Sequence, residues 1–137
     1  MQALNRQINR RTIEKCIEAV NDARFCIENK LLEAAADRIY MAIHHSVQAL
    51  AIKEGFTPAG LQSRINWFGA KYVYTGKVFP ELMLSIYSTA FVRKKAFESG
   101  LIPSSAINAE QIHEAFNDCR HFVKQVFNYL QVDFPEE

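Results

Sequence analysis

The sequence predicts an all-α protein, an antiparallel up-and-down bundle of about five helices. Apolar residues recur every three or four positions along most of the chain, which places them on one side of a helix. The sequence also lacks any run of alternating apolar and polar residues, and it has no Asn-Gly or Asp-Gly hairpin turn. Because the chain has 137 residues and is 49% hydrophobic, we expect a single domain over residues 1–137, with its core between about residues 8 and 132.

The first two helices are predicted to form an antiparallel pair. Residues from about 5 to 28 carry apolar side chains at helical spacing and charged side chains on the opposite face. A short break at Asn29 and Lys30 follows, where we expect Asn29 to adopt the left-handed conformation of a helix end. The second helix, residues 34–55, is apolar on nearly every side, which predicts that it lies at the centre of the bundle.

The third helix is predicted from the residues at its two ends. Thr57 is a suitable N-cap and Pro58 a suitable first helical residue, while Thr75-Gly76 marks the end. Trp67 is adjacent to Phe68 of the inner stripe and therefore points about 100° away from it. We expect Trp67 to be available to a partner surface, which favours an oligomer.

The last two helices complete the predicted bundle. The fourth covers residues 80–100 and is followed by an irregular loop over residues 100–107. Asn108 with Gln111 three residues later is a capping-box signal, and it begins a fifth helix with a strong apolar stripe. The tail, residues 132–137, is short and polar.

Composition limits the classes of function. The formal net charge is +1, so there is no global basic excess of the kind found in many nucleic-acid binders, although a local basic strip would suffice for RNA. No uncharged apolar run reaches the roughly 18 to 20 residues of a membrane span, and no secretion signal is evident. Cys16, Cys26 and Cys119 are predicted to be buried, reduced thiols, which favours a cytoplasmic protein.

Arg38 and His45 are the candidate catalytic residues of the second helix. They are seven residues apart, so they lie about 20° from the same line and about 10 Å apart along the axis. A guanidinium suits a phosphate, and a histidine transfers protons near neutral pH. The structural alternative is that Arg38 pairs with a carboxylate of the first or fifth helix, while His45 hydrogen-bonds within a helix interface. Asp37 and His44 form a parallel pair on another face and are candidate binding residues.

The fourth helix adds a basic run that consists of Arg93, Lys94 and Lys95 and is followed by Phe97. Such a run is most often a solvated helix face, but it also suits an RNA backbone with a stacked base. No metal-ligating spacing of His, Cys and carboxylates occurs in the chain. We therefore expect no metal ion and no cofactor.

Four stretches carry a resemblance to a known family. Residues 28–55 read ENKLLEAAADRIYMAIHHSVQALAIKEG, with an Arg, a Tyr two residues on, an Ala, a His and an apolar run that ends in Gly. The others are WFGAKYVYTG (67–76), FPELMLSIYSTAFVRKKAF (79–97) and INAEQIHEAFNDCRHFVKQVFNYL (107–130). In order and spacing they resemble the small stand-alone prokaryotic members of the HEPN domain family.

This resemblance implies a helical bundle that pairs into a homodimer, often encoded beside a small nucleotidyltransferase with which it forms a toxin–antitoxin pair. Active members are metal-independent ribonucleases with an Arg, four to six residues, and then a His. The His promotes attack of the ribose 2′-OH on the adjacent phosphate, and the Arg stabilises the developing charge. Arg38 and His45, with six residues between them, meet this spacing.

The sequence departs from the family pattern at positions that bear on catalysis. In nuclease members the motif lies later, near the end of the penultimate long helix, where this sequence has Arg93 without a following His. Phe97-Glu98 also stands where related members have Asp-Tyr, and Leu61 replaces the His of a Thr-His-Ser turn. We therefore expect a dimeric member that binds a nucleotide, RNA or a nucleotidyltransferase partner and whose nuclease activity is absent or weak. The alternatives are a ribonuclease toxin that uses Arg38 and His45, and a purely structural subunit.

Overall fold

The part of the chain that the structure describes contains five α-helices and no strand, which confirms the all-α prediction. The computed structural model describes residues 2–57, 59–103 and 106–135, with side chains from residue 9 onward. The helices are α1 (Gln2–Glu28), α2 (Leu32–Lys53), α3 (Leu61–Phe68), α4 (Glu81–Glu98) and α5 (Ala109–Leu130). A π-helix over Gly69–Thr75 continues directly from α3.

Helix α2 lies at the centre of the bundle, as predicted, and it packs against α1, α4 and α5. The alanines at positions 35, 42 and 49 are fully buried, and small side chains of this kind allow neighbouring helices to approach closely. The Sγ of Cys16 donates a hydrogen bond to the carbonyl of Ala42 at 3.2 Å. On the other side, Sγ of Cys119 contacts the carbonyl of Ile39 at 3.6 Å. These thiols are free and buried, as the sequence predicts.

The turn between α1 and α2 differs from the prediction by one residue. Lys30, with φ of 59°, adopts the left-handed conformation that we expected of Asn29. The Nδ2 of Asn29 instead donates a hydrogen bond to the carbonyl of Phe25 at 2.9 Å, which holds Asn29 against the last turn of α1. The N–H of Leu31 donates to the carbonyl of Cys26 at 2.7 Å and closes the turn.

The predicted start of α3 is wrong. The helix begins at Leu61, with Gly60 as its N-cap at φ of 107°, a conformation that a residue with a side chain rarely adopts. Thr57 precedes the helix as exposed coil, and Pro58 lies outside the described residues. The glycine conformation, rather than the Thr-Pro pair, sets the boundary.

The π-helix ends where the sequence predicts, but its geometry was not predicted. The N–H of Gly76 donates to the carbonyl of Lys71, five residues earlier, at 2.9 Å. The N–H groups of Val78 and Phe79 then both donate to the carbonyl of Tyr72, at 2.8 and 2.9 Å. These bonds anchor the loop that leads into α4.

We expect Gly76→Ala to lower the free energy of unfolding by about 1–3 kcal/mol, because an added Cβ would overlap the carbonyl oxygen of Lys71. Chemical denaturation measures the change. Thr75→Ala, at an exposed neighbouring position, is the matched control and should change stability by less than about 0.5 kcal/mol. Equal stability of the Gly76→Ala variant and the wild type would contradict this account of the turn.

The predicted N-cap of α5 is confirmed. The Oδ1 of Asn108 accepts hydrogen bonds from the N–H groups of Glu110 and Gln111, at 2.8 and 3.3 Å. Ser104 and Ser105 of the preceding loop lie outside the described residues. Among the described residues, no helix is both long and apolar enough to cross a membrane.

Candidate functional site

The two adjacent histidines of α2 lie in different surroundings. Successive residues of a helix point about 100° apart. His44 is directed towards Arg64 of α3, and its ring centroid lies 5.8 Å from that of Tyr40, four residues earlier on α2. His45 lies nearer to α1, close enough for the charge of Lys15 to act on it. Both imidazoles are partly buried.

Arg64 of α3 binds His44. Its Nη1 lies 2.9 Å from Nε2 of the imidazole and 3.2 Å from Nδ1. The arginine is partly buried, and its Nε is enclosed with no hydrogen-bond partner among the residues that the structure describes. No carboxylate of the described residues forms an ion pair with this guanidinium.

Burial is the main cause that lowers the pKa of His44 from 6.5 to about 4, and the charges of Arg64, His45 and Lys94 contribute in the same direction. His44 is therefore neutral at pH 7, and a ring nitrogen accepts a hydrogen bond from the Arg64 guanidinium. The contact leaves the positive charge of Arg64 uncompensated. An arginine in this setting is suited to an anionic ligand.

Arg38 and His45 both remain accessible to solvent, but they do not bind each other. The Nδ1 of His45 lies 3.3 Å from Oε1 of Gln48. Burial lowers the pKa of His45, against the hydrogen bond with Gln48, and the charges of Lys15, Arg64 and Arg38 lower it further. Arg38 is exposed, and its Nε lies 3.7 Å from Oδ2 of its neighbour on the same helix, Asp37.

Among the described residues, Asp37 and His44 do not contact each other, although Lys94 lies near both. Asp37 instead lies beside Lys94 of α4, with 3.7 Å between its Oδ1 and the Nζ. The same Nζ lies 2.9 Å from both carboxylate oxygens of Glu98 and 5.8 Å from the ring centroid of Tyr40. Lys94 is thus compensated by two carboxylates, in contrast to Arg64.

The three basic residues of the run on α4 lie on different surfaces of the bundle. Lys94 points towards α2, whereas Lys95 is exposed and its Nζ lies 5.8 Å from the ring centroid of Phe91. Arg93 lines a groove of about 390 Å³ between α4 and α5, where burial lowers its pKa and the nearby Asp118 opposes that shift. These three basic side chains therefore do not share one face of α4.

The positive charge of Arg64 acts on two buried tyrosine hydroxyls. Tyr40 and Tyr87 are 1% and 0% exposed, and neither hydroxyl has a hydrogen-bond partner among the described residues. Burial raises the pKa of Tyr40 to about 12 and the pKa of Tyr87 further still, while the charge of Arg64 lowers both. The junction of α2, α3 and α4 therefore holds several unpaired hydrogen-bond donors.

Sequence reasoning missed Arg64 as the central cation. It was one of several scattered basic residues, and its partner His44 is 20 residues away in the chain. One signal was available: no acidic residue stands three or four positions from Arg64 in either direction, so the helix itself supplies no counter-charge.

The expectation that Trp67 is free for a partner needs correction. The indole is partly buried and stacks on Phe56, with 5.1 Å between ring centroids and 26° between planes. The ring of Tyr72 meets it edge-on at 5.6 Å. Phe56, which is 42% exposed, presents the aromatic surface instead.

The chain is distantly similar to a known protein. Over 83 residues, the chain is 31% identical to a Thermotoga maritima protein described as "UPF0332 protein". The match covers 61% of this chain and 62% of that protein, so the chain spans about three fifths of the relative's length. No protein-family model matches the chain.

Proposed function

We propose that this protein is a HEPN-type helical module that binds the phosphate of a nucleotide or RNA at Arg64 and His44. The proposal includes assembly as a homodimer, with a small nucleotidyltransferase as a partner in a toxin–antitoxin pair. The order of the helices and the distant similarity to a UPF0332 protein support the family assignment.

The proposal rests on the uncompensated positive charge of Arg64. A partly buried charge is costly unless an opposite charge or several hydrogen bonds compensate it. Within the part of the chain that the structure describes, Arg64 has only the neutral His44 as a hydrogen-bond partner, and its Nε has none. A phosphate group satisfies a guanidinium through two parallel hydrogen bonds, and it would supply the missing charge.

We expect Arg64→Gln to weaken binding of adenosine monophosphate and of single-stranded oligoadenylate by about 10- to 150-fold. Loss of one charge-assisted hydrogen bond costs roughly 1.5–3 kcal/mol, which corresponds to that range. Isothermal titration calorimetry measures both affinities. Arg11→Gln is the matched control, because Arg11 is exposed and pairs with Glu14 at 3.6 Å on α1.

Two results would refute the phosphate site. One is the absence of binding of either ligand to the wild-type protein. The other is equal affinity in the wild type and the Arg64→Gln variant, with the fold of the variant verified by its thermal melt. Binding that weakens with rising salt, and does so less in Arg64→Gln, supports the charge-based contact.

A ribonuclease that uses Arg38 and His45 is the second candidate function. The observation in its favour is that both side chains remain accessible to solvent on α2, while the pKa of His45 is lowered. A neutral imidazole is the form that a general base requires. The charge of Arg38 also acts on His45, so the two groups belong to one electrostatic environment.

If this second function holds, cleavage of single-stranded RNA by the purified protein is lost in His45→Ala while the mass in solution is unchanged. Arg38→Gln should reduce cleavage as well. His113→Ala, an exposed histidine on α5, is the control. Continued cleavage by His45→Ala would show that His45 is not the catalytic base.

Light scattering tests the proposed homodimer, for which we expect a mass of twice 15.7 kDa.

A further inference from the structure

An aromatic pair stands beside Arg64 on the surface of the bundle. Phe56 and Trp67, here called the aromatic platform, stack with 26° between their planes. Tyr72 supports Trp67 from the side with its ring at 83°, so the platform rests on the buried core. Phe56 is 42% exposed, and its ring offers an aromatic surface to solvent.

The platform lies next to the proposed phosphate site. Arg64 and Trp67 are three residues apart on α3, and residues at this spacing are neighbours on a helix surface. Lys71, four residues after Trp67, adds a second cation on this side of the chain, and its Nζ is paired with Glu54 at 3.0 Å. An aromatic surface beside cations is typical of single-stranded nucleic-acid sites.

We propose that the aromatic platform stacks the base of the nucleotide whose phosphate binds Arg64. This inference rests on the proposed function and adds the class of ligand: a nucleotide with an unpaired base, either free or within a single strand. A base in a duplex has both faces covered by its neighbours and does not fit this arrangement.

The platform itself supplies the probe, because Trp67 is the only tryptophan in the chain. Adenosine monophosphate, ribose 5-phosphate and double-stranded RNA are titrated separately by isothermal titration calorimetry, which measures each affinity, and the fluorescence of Trp67 is recorded in parallel. We expect adenosine monophosphate to quench Trp67 and to bind more tightly than ribose 5-phosphate by about 5- to 100-fold, the range for one stacked base. Double-stranded RNA should not quench Trp67.

Phe56→Leu is the test variant, because leucine keeps an apolar side chain at a partly exposed position and removes the aromatic face. It should lose the preference for adenosine monophosphate and keep the wild-type affinity for ribose 5-phosphate, which also verifies its fold. Phe25→Leu is the matched control, since Phe25 is 62% exposed on α1.

The outcomes separate this inference from the phosphate site. Equal binding of adenosine monophosphate and ribose 5-phosphate, both abolished by Arg64→Gln, overturns the stacking site and leaves the phosphate site standing. Absence of binding of both ligands to the wild type overturns both. An unchanged preference in Phe56→Leu also overturns the stacking role.

Discussion

Phe68→Ala is expected to lower the free energy of unfolding by about 3–5 kcal/mol, the range for removal of a fully buried aromatic ring. Phe68 is 0% exposed, and its ring contacts Tyr72, Phe79, Tyr87 and Phe122 at centroid distances of 5.3 to 5.9 Å. These rings come from α4, α5, the π-helix and the loop before α4. The substitution therefore leaves a cavity where several elements meet.

Urea denaturation followed by circular dichroism measures this loss. Phe25→Ala is the control, because Phe25 is 62% exposed and its removal should change stability by less than about 0.5 kcal/mol. A loss below about 1 kcal/mol in Phe68→Ala would show that the aromatic cluster is not the organising core of α3, α4 and α5.

The second large effect is a loss of stability as the pH falls from 6.5 to 4. The pKa of His44 is about 4 in the folded protein and near 6.5 when the chain is unfolded, so the unfolded state binds the proton more tightly. The stabilisation is complete above pH 6.5 and is lost as the pH falls through this window. We expect about 2 kcal/mol from this group, after allowance for its partial exposure to solvent.

Denaturation at pH 7 and pH 4 in the wild type and in His44→Gln isolates this contribution. The variant should lose less stability between the two pH values, by about 2 kcal/mol. Exposed His113→Gln on α5 should behave as the wild type. An identical pH dependence in wild type and His44→Gln would show that the imidazole is as easily protonated in the fold as in the unfolded chain.

The sequence predicts the main helices well because their apolar patterns are long. Helix α2 and helix α5 carry continuous stripes, and Asn108 provides a side-chain cap that is visible in the sequence. Boundaries set by backbone conformation were harder to predict. Both Lys30 and Gly60 adopt positive φ; glycine adopts this conformation readily, so Gly60 is a signal that the Thr-Pro pair obscured, whereas nothing in the sequence favours Lys30 over Asn29.

Two features depend on contacts that a linear pattern does not contain. An α-helix has hydrogen bonds from residue i to i−4, and a π-helix has them from i to i−5. Over one or two turns both place apolar residues at similar spacing, so the sequence pattern does not distinguish the π-helix at Gly69–Thr75 from an α-helix. The pairing of Arg64 with His44 likewise requires the crossing of α3 and α2. Helical spacing identified Arg38 and His45 as neighbours along α2, but it does not identify charges on other helices.

The central position of α2 has a consequence for the order in which the chain folds. The bond from Cys16 to Ala42 joins residues 26 apart, whereas the contact from Cys119 to Ile39 joins residues 80 apart. Closing the shorter loop costs less entropy, so the α1–α2 hairpin can form while later helices are still being synthesised. Until α5 docks, one apolar side of α2 stays uncovered, and truncated chains that end before residue 109 are expected to aggregate.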